Sequence, residues 1–292
     1  LSYWDTSFES KNSQLELFKQ HEQYNPSFYI ECYNHAKSLG LQFGLSIFSV
    51  SLFDSLSPYC DFIKIASGDI NFVRLLRCAD KLDIPIMIST GASNHCECVS
   101  LARSILSNCT NARRKNQITI MHCSLSYPST ADQLNLLLIK KLITLFPNFK
   151  IGYSDHLIGS NFYHILVARA LGATILEKHF TDDINKKGND HYHSADAAYI
   201  SKLKKALLIC EETLGDKNYI YHRDKEHSAR LGARRSIVAR DDLKQGDLVT
   251  SENIIELRPG DGISPSSIDL LVNLKVCKDV NKGSIIQWTD LE

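Results

Sequence analysis

The alternation of short apolar runs with helical segments constrains this chain more than any other feature. The runs are Leu41–Ile47, Asp61–Ala66, Ile84–Ser89, Gln117–Met121, Lys150–Tyr153 and Ala173–Leu176. Around them lie helical patterns: Pro26–Leu39 with Gly40 as its stop, Phe72–Leu82, His95–Cys109, Gln133–Phe146, Asn161–Leu171 and Ala195–Leu214. Strands alternating with helices imply an α/β fold with a parallel sheet. Short units with polar strand ends predict a (β/α)8 TIM barrel. Such a barrel has eight strands and six are counted here, so the first two are expected ahead of residue 1 and the barrel is read as N-terminally incomplete. In the last helix Ile200, Leu203, Leu207, Cys210 and Leu214 recur at helical spacing, which predicts a core-facing stripe.

The character changes after residue 214. Residues 215–232 (GDKNYIYHRDKEHSARLG) are charged and irregular, and read as a linker. Residues 233–292 are rich in β-branched residues, Gly and Asp, and contain a near-repeat, Asp242–Ile254 against Asp279–Leu291. Both copies carry Asp first, Gly fifth and aliphatics seventh and eighth. A small, pseudo-symmetric β-rich domain is expected, with a thin core that docks on something. The domains are therefore read as 1–214, linker 215–232, and 233–292. Residues 1–25 are polar without clear periodicity.

Composition narrows the function classes. Lys plus Arg equal Asp plus Glu at 33 each, a formal net charge of zero, which favours neither nucleic acid nor an anionic membrane. No apolar run reaches the ~18 residues that span a bilayer, and no signal peptide is expected from the opening residues. Nine Cys are too sparse for a disulfide scaffold, so reduced thiols and a cytoplasmic setting are expected. His95-Cys96-Glu97-Cys98 is metal-like in composition, but no second Cys pair completes it, and buried thiols are expected there.

Candidate chemistry gathers in Ile151–Phe180, where one strand ends in Ser154, Asp155 and His156 and the next in Glu177, Lys178 and His179. The C-terminal ends of parallel strands are where ligands sit. His156 and His179 suit a shared divalent metal; the competing reading makes one a loop bridge and the other a core residue. Lys64, Ser67, Ser89 and Thr90 end other strands and, with Ser154, together suit a phosphate dianion, or else merely cap helices. Glu177, on the His179 face of its strand, orients a hydroxyl or assists proton transfer, or pairs with Lys64. Asp190 and His191 lie in a polar loop able to close over a substrate, and His193 reads as a solvated loop residue. Arg258 projects from the turn Leu257-Arg258-Pro259-Gly260-Asp261-Gly262.

Taken in order, KIASGD, ISTGAS, MHCSLSYP, IGYSDH, LEKHFTDD, GNDH, ARRSIVARDDLKQGD and LRPGDGIS resemble the sialic acid synthase (N-acetylneuraminate synthase) family. Residues 233–292 resemble that family's antifreeze-like (SAF, β-clip) domain. The resemblance implies condensation of phosphoenolpyruvate with an N-acetylmannosamine-type sugar and water, giving a nine-carbon 2-keto sugar acid and phosphate. It implies that His156 and His179 bind a divalent metal, usually Mn2+, with Mg2+ or Co2+ as alternatives, which polarises the sugar aldehyde. By the same implication Lys64, Ser67, Ser89 and Ser154 hold the phosphate, while Glu177, Tyr127 and Asp190 contact the sugar. Arg258 would reach the sugar's N-acyl group across a domain-swapped homodimer. The family's opening strands, carrying a catalytic Glu and a phosphate-binding Lys, are absent, which leaves an inactive truncated chain as one reading. Leu45-Ser46-Ile47-Phe48 and Leu125-Ser126 depart from the family's usual residues and bear on the sugar pocket. A 6-deoxy diacetamido sugar of the legionaminic or pseudaminic type is the alternative acceptor. A class II-type metal aldolase and a non-catalytic ice-binding module are the competing classes.

Overall fold

A computed structural model describes residues 4, 7, 13–21, 24–94, 96–98, 100–101, 117–188, 190–216 and 223–292. The chain divides into two compact units, Leu1–Leu214 and Gly215–Glu292. Among the described residues no helix is long and apolar enough to cross a membrane.

The first unit is built on a six-stranded parallel sheet whose strands follow one another in chain order. They are β1 (Gly44–Leu45), β2 (Phe62–Ile65), β3 (Ile86–Ser89), β4 (Ile118–Cys123), β5 (Lys150–Asp155) and β6 (Ile175–Lys178). This is the six-strand arc of a TIM-type barrel. Strand alternation divides the side chains. Ile63, Ile65, Ile86, Ile88, Ile118, Ile120, Ile151 and Tyr153 pack into the core with the flanking helices. Lys64, Ser89, Cys123, Ser154 and Glu177 take the opposite face, aligned by the pairings Ser89 with Met121, Cys123 with Ser154, and Ser154 with Glu177. All six residues of β4 are buried, as expected for a strand covered on both sides.

The sheet is strongly curled. Lys64 on β2 and Glu177 on β6 are four strand steps apart, roughly 19 Å in a flat sheet. Their side chains nevertheless meet at 3.0 Å.

Helices Pro26–Ser38, Val73–Asp80, Leu138–Leu145, Tyr163–Ala170 and Ala197–Leu214 occupy the expected places. Most of the pattern read over His95–Cys109 lies outside the described residues. Two helices were not expected, Gln14–His21 and Val50–Leu56. The stripe on Ala197–Leu214 is only partly inward. Leu203 is buried, but Ile200 and Leu214 are exposed, and Tyr199 takes an inward place instead. Its ring meets Phe162 edge-on at 5.7 Å and its hydroxyl donates to Asn161 O at 3.2 Å. A large aromatic with a satisfied hydroxyl thus outcompetes the aliphatic at either end of the stripe.

The second unit has its own core, including Ile237, Val249, Leu271, Val276 and Ile286. The stretch read as irregular is helical over Arg223–Ala233. It has no apolar period, but Arg, Lys, Glu and Ala are strong helix formers. β7 (Ser236–Ala239) pairs antiparallel with β8 (Ile254–Leu257). The near-repeat is a structural symmetry. Leu243 and Val280, second in each copy, exchange backbone hydrogen bonds at 2.8 Å. Asp242 accepts from Lys282 N at 2.8 Å, and Asp279 accepts from Gln245 N at 2.9 Å. Gly246 and Gly283, fifth in each, both take positive φ (94° and 83°), where a Cβ is strained. Thr250 N donates to Asn253 and Gln287 N donates to Asp290, both at 2.8 Å.

Candidate active site

The strand ends bring two groups of side chains together. The first joins a cation, a carboxylate and buried hydroxyls. Lys64 Nζ lies 3.0 Å from Glu177, so the expected alternative partner of Glu177 is in place. Ser67, in the turn Ser67–Asp69 after β2, accepts from Gly91 N at 3.0 Å and touches Cys123 Sγ at 3.0 Å. A Cβ on Gly91 would sit 2.6 Å from Cys123 Sγ and 2.8 Å from Ser67 Oγ, so this close approach requires glycine. Ser89 and Ser154 are buried, and Ser89 Oγ has no hydrogen-bond partner. Thr90 Oγ1 instead donates to Met121 O at 3.0 Å.

The second group is a cluster of imidazoles. His156 follows β5, His179 follows β6, and His193 closes the turn His191–His193. The ring centroids of His156 and His179 are 5.2 Å apart, and those of His179 and His193 4.6 Å. Tyr127 packs against all three, at 4.1 Å from His156, 6.0 Å from His179 and 5.7 Å from His193. The reading of His193 as a solvated loop residue is corrected: it is 1% exposed, because the loop folds its ring inward against Tyr127 and Tyr192. Neither of its ring nitrogens has a hydrogen-bond partner, an arrangement that costs about 1–3 kcal/mol per unsatisfied group unless something supplies the partner.

Asp190 stands among these rings. One carboxylate oxygen is 3.7 Å from His179 Nδ1 and the other 3.7 Å from His193 Nε2. His179, Asp190 and His193 each offer a ligand atom within 4.8 Å of the others. His156 Nδ1 contacts Ser124 O at 2.8 Å, the outer hydrogen bond that orients a metal-ligating imidazole. Burial lowers the pKa of all three histidines, His156 to about 4 and His193 to about 3. Neutral imidazoles are the form that ligates metal. The donor set and the orphaned nitrogens of His193 both fit a divalent cation.

Asp155 and Lys178 alternate to the helix-facing side of the sheet. Lys178 Nζ lies 2.7 Å from Asp155 Oδ2 and donates to Leu157 O at 2.8 Å. His164 Nε2 is 2.9 Å from Asp155 Oδ2, and Tyr153 OH donates to Asp155 Oδ1 at 2.9 Å. Burial opposes ionisation of Asp155, but these partners hold its carboxyl well below the usual range.

The remaining expected residues fall elsewhere. Arg258 is exposed on the second unit, after β8. Cys98 is buried as expected, but Cys96 is exposed, because adjacent helix positions two apart face different ways. His95 lies outside the described residues. Leu125 and Ser126 line a cavity of about 530 Å³ beside the ends of β3 and β4, together with Thr90, Asn94 and Ser124.

Residues 2–219 match the NeuB family and residues 234–292 match the SAF domain. The chain belongs to the NeuB family. The resemblance to sialic acid synthases read from the strand-end motifs is thereby borne out, as is the barrel-plus-SAF architecture. An uncharacterized protein of Methanocaldococcus jannaschii is 36% identical over 99% of this chain and 84% of its own length. The N,N'-diacetyllegionaminic acid synthase of Legionella pneumophila is 32% identical over 99% of this chain and 80% of its own. Among solved structures, a spore coat polysaccharide biosynthesis protein E of Chromobacterium violaceum superposes with TM-score 0.82 at 23% identity. It covers 99% of this chain and 85% of that one. At that identity the likeness speaks to the fold alone.

Proposed function

We propose that this chain condenses phosphoenolpyruvate with an N-acetylmannosamine-like sugar, yielding a nine-carbon 2-keto sugar acid and phosphate. The observation that carries the reading is one strand-end mouth holding both Lys64–Glu177 with its buried hydroxyls and the His156–His179–Asp190 group. Lys64, Ser67, Ser89 and Ser154 bind the phosphate. Tyr127, Glu177 and Asp190 orient the sugar, and Glu177 moves a proton at the reacting hydroxyl or water. His156 and His179 hold a divalent cation, Mn2+ by family resemblance, which supplies Lewis-acid polarisation of a carbonyl when bound. In the reaction a C–C bond forms between carbon 3 of phosphoenolpyruvate and the sugar aldehyde. Water adds its oxygen at carbon 2, and phosphate leaves with the C–O bond. Arg258 reaches the sugar's acyl group in a homodimer, and the enzyme works in the cytoplasm.

The Legionella relative supports a second acceptor, a 6-deoxy diacetamido sugar, as does the apolar Leu125 beside the β3 and β4 ends. The test is phosphate release from phosphoenolpyruvate with manganese and each sugar in turn. It is run on this chain and on the chain preceded by the two family strands expected ahead of residue 1. Sugar-dependent release supports the reaction and names the acceptor. No release with either sugar in either form rejects it.

A further inference from the structure

We propose that His193 is itself a metal ligand, so that His179, His193 and Asp190, with His156 beside them, form a nitrogen-rich site selecting zinc or cobalt over magnesium. The inference rests on the reading that this mouth binds a divalent cation and adds a ligand and a selectivity to it.

His193 has a side chain with no exposure and two unpartnered ring nitrogens, yet it stands beside two other imidazoles and a carboxylate. Asp190 precedes the tight turn His191–His193 with φ of 75°, and its carboxylate comes within 3.7 Å of His193 Nε2. The 3.7 Å gaps from Asp190 to His179 and to His193 are too long for hydrogen bonds. They match the spacing of two ligands sharing one ion: bonds of about 2.1 Å place ligand atoms roughly 3.0–4.2 Å apart. One carboxylate oxygen faces each histidine, so the acid would be available to an ion held between the two rings. His156 keeps Nε2 available because Nδ1 is engaged by Ser124 O. Imidazole-rich sets favour zinc, cobalt and nickel, whereas magnesium prefers oxygen and water. A bare aromatic cluster of Tyr127 with three histidines would explain the packing but leaves the two His193 nitrogens without a partner.

The test uses the full chain stripped of metal and titrated with zinc, cobalt and magnesium, read by calorimetry and by the visible absorption of cobalt. The expected result is stoichiometric zinc and cobalt binding with magnesium at least a hundredfold weaker. His193→Gln weakens zinc at least tenfold and changes the cobalt band. His193→Cys keeps cobalt and adds a thiolate-to-cobalt charge-transfer band, which decides the matter even where His193→Gln fails to fold. Unchanged affinity and spectrum in His193→Gln, with binding lost in His179→Gln, overturns the role of His193 and leaves the synthase reading standing. Absence of the charge-transfer band in a folded His193→Cys chain that binds cobalt overturns it too. No stoichiometric metal in the unmutated chain removes both this site and the cation from the proposed reaction.

Discussion

Lys178 Nζ lies 2.7 Å from Asp155 Oδ2, and each residue immediately precedes a histidine of the site, His179 and His156. The pair is directly opposed in the β5–β6 register and its side chains are 6% and 0% exposed. It pins two strand ends from behind while the histidines work in front. Removing one partner strands a buried charge, so Asp155→Asn is expected to destabilise the chain by about 3–5 kcal/mol. Asp155→Asn with Lys178→Met is expected to recover much of that loss. Urea unfolding of the four chains in the cycle measures it, and a single-variant loss below about 1 kcal/mol, the range of an exposed pair, counts against the pair.

Lys64 and Glu177 are each other's partners before any substrate arrives. Under the proposed reaction the two separate kinetically. Glu177→Gln lowers kcat by about 10²–10⁴-fold if it moves a proton. Lys64→Met chiefly raises KM for phosphoenolpyruvate by removing the charge that holds its phosphate. Steady-state assays with both substrates varied tell them apart, and identical effects on both constants refute the division of roles.

Gly91→Ala is expected to disturb the anion side of the mouth while leaving the histidine side alone. The added methyl displaces Cys123 or Ser67 and breaks the Gly91 N–Ser67 bond. Overpacking of this kind costs about 1–3 kcal/mol. The expected outcome is a lower melting temperature and weaker phosphoenolpyruvate binding, with zinc affinity unchanged. Calorimetry on the same preparation reads all three, and a loss of zinc affinity would show that the two sides are not separable.

Burial raises the Cys60 thiol to about 11 from 9.0. The folded chain therefore holds this proton more tightly than the unfolded one, so its contribution to stability is complete below about pH 9 and fades as pH rises toward 11. The stability gap between the natural chain and Cys60→Ala should narrow between about pH 8 and pH 10.5. At the lower pH, iodoacetamide is expected to label exposed Cys96 well before Cys60. Peptide mass spectrometry checks the order of labelling.

The strand order was legible because each strand is an apolar run ending in polar residues, and burial on both faces demands that pattern. The first strand was harder: only Gly44–Leu45 pairs within Leu41–Ile47. The helix Val50–Leu56 (VSLFDSL) hid behind Val50, Phe53, Asp54 and two Ser, which do not advertise a helix. His156 and His179 could be read from strand ends. His193 could not be weighed the same way, since a polar loop has no periodicity from which to infer burial. Its one usable signal was the three-residue spacing from Asp190. The Asp155–Lys178 pair was visible in the letters, but its side of the sheet depends on a register that a single sequence does not fix.

The exchange within the second unit carries its own consequence. Asp242 satisfies a backbone group of the later copy, and Asp279 one of the earlier copy, so neither half is complete alone. A chain nicked at the turn Pro265–Ser267 would yield two fragments that each carry the missing acceptor of the other. Such fragments are expected to reassemble with each other, each supplying the acceptor the other lacks.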